Sequence, residues 1–101
     1  AQVALAIRGE ARCALQQWQA GAADLAQSLQ LARKVRVDSG PDNPVLARLL
    51  AAQGLCELGA GKRQAAASLQ QQAQAILQAR PEAAPYFSEP GRRLAAALAA
   101  R

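Results

Sequence analysis

Apolar residues recur along most of the chain at spacings of three and four, which is the pattern of helices with one buried face. A first helix is predicted from about residue 2 to about residue 19, with Ala20-Gly21 as the turn that follows it. Its apolar stripe consists of Ala4, Ile7, Ala11, Ala14, Leu15 and Trp18. A second helix is predicted over about 23–37, and its stripe is Leu25, Leu29, Ala32 and Val35. The two segments together predict one helical hairpin.

Local start and stop signals predict three further helices. Asn43 before Pro44 marks the start of the third helix, because Asn is a favoured N-cap and proline needs no amide partner at the first helical position. Pro81 halts the fourth helix, and Ser88 is expected to cap the fifth. The predicted ranges are about 44–58, 62–79 and 88–101.

The second half of the chain repeats the first with an offset of 40 residues. Every match pairs a small residue with a small one or an apolar residue with an apolar one. The matches include Leu15 with Leu55, Trp18 with Leu58, Ala20-Gly21 with Ala60-Gly61, and Ala26 with Ala66. A period of this length indicates stacked helical hairpins. Residues 1–40 and 41–80 are therefore expected to form the same antiparallel unit twice.

The run Gly40-Pro41-Asp42-Asn43-Pro44 resembles the loop that joins successive hairpins in tetratricopeptide repeat (TPR) proteins of the long-repeat, kinesin-light-chain type, which is common in bacteria. Residues 49–69 resemble that family's small-residue helix, glycine turn and second helix, through Gly54, Gly61 and Ala66. The sequence departs from the standard repeat where aromatic residues are expected. The departures are Gln17, Glu57, Gln30 and Gln70.

The resemblance implies an all-α superhelix of antiparallel helix hairpins, with two repeats and a C-terminal capping helix. Their ranges are about 2–37, 44–79 and 88–101. It also implies that the chain is the C-terminal part of a longer protein. A general two-hairpin helical bundle is the alternative fold.

TPR proteins are scaffolds in which the first helices of successive hairpins line a concave groove that holds a peptide or a helix. The resemblance therefore implies a non-catalytic interaction module with a partly basic groove for a protein or peptide partner, an acidic one if the arginines are used. Arginines in that groove would bind carboxylates through forked hydrogen bonds. The alternative is that these arginines are solvated on helix surfaces. The candidate groove residues are Arg8, Arg12, Gln16, Gln19, Arg48 and Arg92.

Composition argues against a catalytic role. The chain has no His, so the common His-dependent nucleophile pairs and His metal ligands are excluded, and no cofactor or metal is expected. The net charge of +5 could favour nucleic acid, but only 3% of residues are aromatic and no nucleic-acid motif is present. No apolar run is long enough to span a bilayer. The compartment is left open, with a slight preference for the cytoplasm.

Self-association is the alternative function from a different class: the apolar ends of a two-repeat unit could pair between two chains to form a homodimer. Cys13 and Cys56 are expected to be small core residues, because two cysteines are too few for a disulfide framework. Trp18 is expected in the core, against the second hairpin. Tyr86 and Phe87 are expected either to seal the end of the stack or to mark an exposed contact.

Overall fold

A computed structural model of the chain describes residues 2–35 and 42–100. Within these ranges it contains five α-helices and no strand. The helices are α1 (Gln2–Ala14), α2 (Trp18–Val35), α3 (Pro44–Gly59), α4 (Arg63–Ala79) and α5 (Pro85–Ala99). The predicted all-α class is confirmed. Gly40 and Pro41 of the predicted loop, and the predicted helix ends at residues 37 and 101, lie outside the described residues.

Helix α3 is the centre of the fold, because it contacts each of the other four helices. Helix α1 packs along α2 to form hairpin one, and α3 packs along α4 to form hairpin two. Helix α5 closes on α3 and α4. A helix surrounded in this way has little solvent-facing surface and reads as apolar on every side. Its buried residues are Leu46, Ala47, Leu49, Leu50, Ala51, Ala52, Gly54 and Cys56.

The start of α3 confirms the prediction made from Asn43 and Pro44. The Asn43 side chain accepts a hydrogen bond from the Val45 amide at 3.0 Å, and Pro44 is the first helical residue. The start of α5 does not follow its prediction, because the helix begins at Pro85 and Ser88 lies inside it. Proline suits the first turn, where an amide would have no helical partner. The buried Ser88 hydroxyl does not cap the helix, and it has no hydrogen-bond partner among the described residues.

The first hairpin turns earlier than predicted: α1 ends at Ala14 and Trp18 begins α2. The turn residue with positive φ is Gln16 (φ 64°), and its counterpart in hairpin two is Gly61 (φ 85°). The two turns share their backbone hydrogen bonds. The Gln16 amide donates to the Cys13 carbonyl, and the Gly61 amide donates to the Leu58 carbonyl, both at 3.0 Å. The turns therefore correspond at an offset of 45 residues, from 16 to 61, and not at 40.

Gly21 lies outside the turn, at the point where α1 and α2 cross closely. A Cβ atom on Gly21 would lie 2.5 Å from the Cys13 sulfur and 2.9 Å from the Gly9 carbonyl oxygen. A residue without a side chain is required at position 21 because two helices approach each other closely there, and not because the backbone is left-handed. The offset of 45 also pairs Gly9 with Gly54, which are both buried glycines on the first helix of a hairpin.

The two cysteines form a disulfide between Cys13 at the end of α1 and Cys56 in α3, with Cα atoms 5.4 Å apart. Cys56 is a core residue as expected, but Cys13 is not fully buried, and the bond between the two was not predicted. The number of cysteines in the sequence does not reveal the pairing, which depends on the contact between α1 and α3. Cys56 is 1% exposed, whereas Cys13 is half-buried. The bond joins hairpin one covalently to hairpin two.

The apolar stripe predicted for the first helix is also corrected. Ile7 is 65% exposed and Leu15 is 69% exposed. The residues of α1 that are buried or half-buried lie on another face of the helix, and they are Leu5, Ala6, Gly9, Glu10, Arg12 and Cys13. In the part of the chain that the structure describes, no helix is both long enough and apolar enough to cross a membrane.

Candidate binding groove

Helices α1, α3 and α5 enclose a cavity of about 380 Å³, which we call the apolar groove. Three of its side chains are unusually exposed: Val3 and Ile7 at 65% each, and Tyr86 at 63%. Exposed apolar side chains gathered in one concavity are typical of interaction sites. The full lining is Val3, Ala6, Ile7, Glu10, Val45, Arg48, Leu49, Tyr86 and Phe87.

Arg48 joins the three helices at the wall of this groove. Its guanidinium donates to the Glu10 carboxylate at 3.1 Å and to the Tyr86 carbonyl oxygen at 3.0 Å. Its carbon Cζ also lies 4.2 Å from the centre of the Tyr86 ring, which is a cation–π distance. The Tyr86 carbonyl is free to accept because the residue four positions later is Pro90, which has no amide to donate within the helix. Arg48 therefore fixes α1 and α5 against α3.

The aromatic pair at the start of α5 combines the two roles that the sequence left open. The rings of Tyr86 and Phe87 meet edge to face, with centres 5.2 Å apart. Phe87 is half-buried, as expected of a residue that seals the end of the fold, whereas Tyr86 is mostly exposed at the groove. The pair thus supplies one structural ring and one ring accessible to a partner.

A second cavity, of about 320 Å³, lies on the same three helices beside the disulfide, and we call it the disulfide pocket. It shares Glu10 with the apolar groove. Arg93 contributes an exposed cation that forms no ion pair with the described residues. The full lining is Glu10, Cys13, Ala14, Trp18, Ala52, Leu55, Cys56, Pro90 and Arg93.

Trp18 packs against hairpin two, as the sequence analysis expected, but from the first turn of α2. A Cβ atom added to Gly59 would lie 2.5 Å from ring carbon Cζ3 of Trp18, so the ring covers the end of α3. Trp18 also lines the disulfide pocket. Trp18 is half-buried. The spacing of apolar residues in the sequence does not predict that it lies beside the disulfide.

Arg8 and Arg12 of α1 both bind Asp24 of α2, which is 5% exposed. Arg8 makes a forked pair with the carboxylate, with both nitrogen–oxygen distances at 2.9 Å, and Arg12 adds a contact at 3.0 Å. The hydrogen bonds from Arg8 are the main cause that lowers the pKa of Asp24; burial opposes them, and the charge of Arg12 lowers it further. The same hydrogen bonds raise the pKa of Arg8. We call these residues the Asp24 cluster.

The structure does not bring the six predicted groove residues together. Arg48 lines the apolar groove, whereas Arg8 and Arg12 are engaged in the Asp24 cluster. Gln16 occupies the exposed turn, Gln19 is exposed on α2, and Arg92 lies between α4 and α5 beside Gln70 and Gln74. Arg8 and Arg48 are 40 residues apart, so the offset of 45 between the two hairpins does not make them equivalent.

Sequence reasoning missed Val3, Ile7 and Tyr86 as groove residues. Ile7 carried a signal, but the i, i+4 spacing of the α1 stripe was assigned to the core. Nothing in periodicity distinguishes a stripe that packs inside a domain from one that a partner covers.

Within residues 2–35 and 42–100, no three His, Cys, Asp or Glu side chains group closely enough to hold a metal ion. Comparisons with protein-family models, curated proteins and solved structures find no match to this chain.

Proposed function

We propose that this chain is a non-catalytic protein-interaction module of TPR type that binds a partner segment in the apolar groove. The lining of the groove supports the TPR layout, because α1, α3 and α5 are the first helices of successive units in chain order. The matching hydrogen bonds of the two hairpin turns support a repeated unit. In such an array the first helices face the ligand.

The exposed apolar side chains of the groove carry the proposal. Val3, Ile7 and Tyr86 each leave more than half of their surface in water. Burying a fully exposed apolar side chain of this size contributes about 1.5 to 3 kcal/mol. Covering the exposed part of these three side chains would therefore contribute a smaller but substantial share of the affinity. A partner helix that presents apolar residues every three or four positions has the matching pattern.

The positive charge of the chain favours an acidic amphipathic segment as the partner. The chain carries a net charge of +5, and Arg93 beside the neighbouring disulfide pocket has no ion-pair partner among the described residues. Arg48 is already bound to Glu10, so it contributes less free charge. A partner whose apolar residues fill the groove and whose carboxylate lies toward Arg93 would complement both features.

The test starts from a displayed library of acidic amphipathic helices, selected on the wild-type chain, with affinities measured by fluorescence anisotropy. Ile7→Glu should weaken the selected peptide at least about tenfold, because it places a charge in an apolar contact. Leu15→Glu is the matched control, since Leu15 is as exposed as Ile7 but lies outside the groove lining. Equal losses for both variants, or none for Ile7→Glu, would contradict binding in the groove. Circular dichroism verifies that both variants remain folded.

A second candidate, self-association, is favoured by the outer face of α1, which continues into Leu15 of the following turn. Val3, Ile7, Ala11 and Leu15 follow one another at intervals of four residues and are all exposed. A second copy of the chain could cover this face. Analytical ultracentrifugation over a concentration series tests it: Leu15→Glu should abolish a dimer, and a wild-type chain that stays monomeric at high concentration would exclude it.

A further inference from the structure

The disulfide pocket is lined by two bonded cysteines that differ in their exposure to solvent. Cys56 is 1% exposed, whereas Cys13 is half-buried, and both line the same cavity of about 320 Å³. Access decides which sulfur an external thiol attacks. The cavity lies within the size range of small-molecule sites, so a low-molecular-weight thiol can enter it. Cys13, the more exposed of the two residues, is therefore the expected point of attack.

We propose that Cys13 is a thiol-exchange site at which an anionic low-molecular-weight thiol of the glutathione class forms a mixed disulfide. The incoming thiolate donates its electron pair to the Cys13 sulfur, and a new S–S bond forms. The bond from Cys13 to Cys56 breaks, and its electron pair leaves with the Cys56 sulfur, which then takes a proton from water. One disulfide is consumed and one is formed, so the step requires no oxidant or reductant besides the thiol itself.

Two neighbours of the disulfide favour this exchange. Arg93 places an exposed cation without a described ion-pair partner at the pocket, where it can bind a carboxylate of the incoming thiol. The Cys56 sulfur lies 3.2 Å from the carbonyl oxygen of Trp18. In the disulfide that sulfur carries no hydrogen, but the released Cys56 thiol can donate one to this oxygen. The opened state thus gains a hydrogen bond that the closed state lacks.

Opening the bond removes the covalent link between α1 and α3. The groove residues Val3 and Ile7 lie on α1, so their position against α3 then depends on the Asp24 cluster and on the pair of Glu10 with Arg48. The exchange itself does not depend on the proposed function. Only an effect of the exchange on peptide binding would rest on the proposed function.

The experiment incubates the oxidised full chain with reduced glutathione and maps the products by intact-protein and peptide mass spectrometry. The expected product carries one glutathione on Cys13 and a free thiol at Cys56. Adducts on Cys56, equal adducts on both cysteines, or reduction with no adduct would overturn the proposal. A protein cysteine as the true thiol would appear as a disulfide-linked dimer, and such a dimer without a glutathione adduct would also overturn it.

Charge variants identify the role of Arg93. Arg93→Gln should slow adduct formation by glutathione about tenfold, while neutral 2-mercaptoethanol reacts at an unchanged rate. Arg92→Gln is the matched control, because Arg92 is the adjacent exposed cation on α5 and lies outside the disulfide pocket. Equal slowing by both variants, or equal slowing of both thiols, would overturn the recognition of an anionic thiol. These rates are measured without any peptide partner, so they stand apart from the test of the groove.

Discussion

The two hairpins share the geometry of their turns but are stabilised by different chemistry. Hairpin two buries Leu46, Leu49, Leu50, Ala66, Ala73 and Ile76. In hairpin one the large buried apolar side chains, Leu25 and Leu29, lie on α2. Among the residues of α1 whose burial is described, only Gly9 is buried, so α1 contributes no large buried side chain. It is held by the Asp24 cluster, by the pair of Glu10 with Arg48, and by the disulfide. At the offset of 45, Asp24 corresponds to Leu69, so a charge stands where hairpin two has an apolar contact.

A shared backbone turn therefore does not determine which side chains fill the helix interface. Ion pairs are weakened by salt and by protonation of their carboxylates, and a disulfide is opened by thiols. An apolar core has neither a titrating group nor a bond that a thiol can cleave. Helix α1 is therefore expected to be the part of the fold that opens first, because few buried apolar contacts resist its separation.

Removing the disulfide should give the largest effect. Closing a loop across a sequence separation of 43 residues stabilises the folded state by about 4 kcal/mol in the chain-entropy model. The double variant Cys13→Ser with Cys56→Ser should lose about this free energy of unfolding in urea titrations. Hydrogen exchange should show the greater loss of protection in α1. Reductant should have no effect on the double variant, and equal loss of protection in both hairpins would contradict the comparison.

Truncating one core side chain should separate the hairpins next. Leu50 of α3 is 2% exposed, so Leu50→Ala is expected to cost about 3 kcal/mol through lost burial and a residual cavity. Ile7→Ala serves as the comparison in α1, and it should change stability by no more than about 0.5 kcal/mol because Ile7 is 65% exposed. Thermal or urea unfolding measures both. A large loss for Ile7→Ala would mean that the outer face of α1 is covered, for example by a second copy.

Acid should weaken hairpin one specifically. The folded pKa of Asp24 lies below its ordinary value of 3.8, chiefly through the hydrogen bonds from Arg8. The stabilisation is therefore fully present above that ordinary value and is lost as the pH falls through the lower folded pKa. Hydrogen exchange of α1 and α2 amides should show this loss, and Asp24→Asn should remove the pH-dependent part.

The matched control for acid is Glu82→Gln. The pair of Glu82 with Arg80 also lowers the pKa of its carboxyl, but Glu82 is 68% exposed and the two residues are close in sequence. Its contribution is screened by solvent and lies outside hairpin one. An equal effect of the two substitutions on the protection of α1 would contradict the role of the Asp24 cluster.

Features with a local sequence signal were predicted, whereas features that depend on helix packing were not. The starts of α3 and α4 were predicted closely because their signals are local: Asn43 before Pro44, and Gly61 at the turn. The first turn was misplaced because Gln16 adopts a left-handed backbone without being glycine, and no local pattern marks it. The disulfide and the Asp24 cluster were missed because each joins residues whose proximity arises only from helix packing. Charge and cysteine counts contain no information on such pairs.

The smallest expected effect comes from the turns themselves, where the two hairpins should respond with opposite signs. Gln16 pays the steric cost of a left-handed backbone that Gly61 avoids, so Gln16→Gly should stabilise the chain by about 1 kcal/mol and Gly61→Gln should destabilise it by a similar amount. Gln17→Gly is the control, since Gln17 is equally exposed but has no positive φ to relieve. Urea unfolding resolves these differences. Gln17→Gly should lower the free energy of unfolding. If Gln16→Gly also lowers it, the left-handed backbone at Gln16 carries no steric cost, and the two turns are not energetically equivalent.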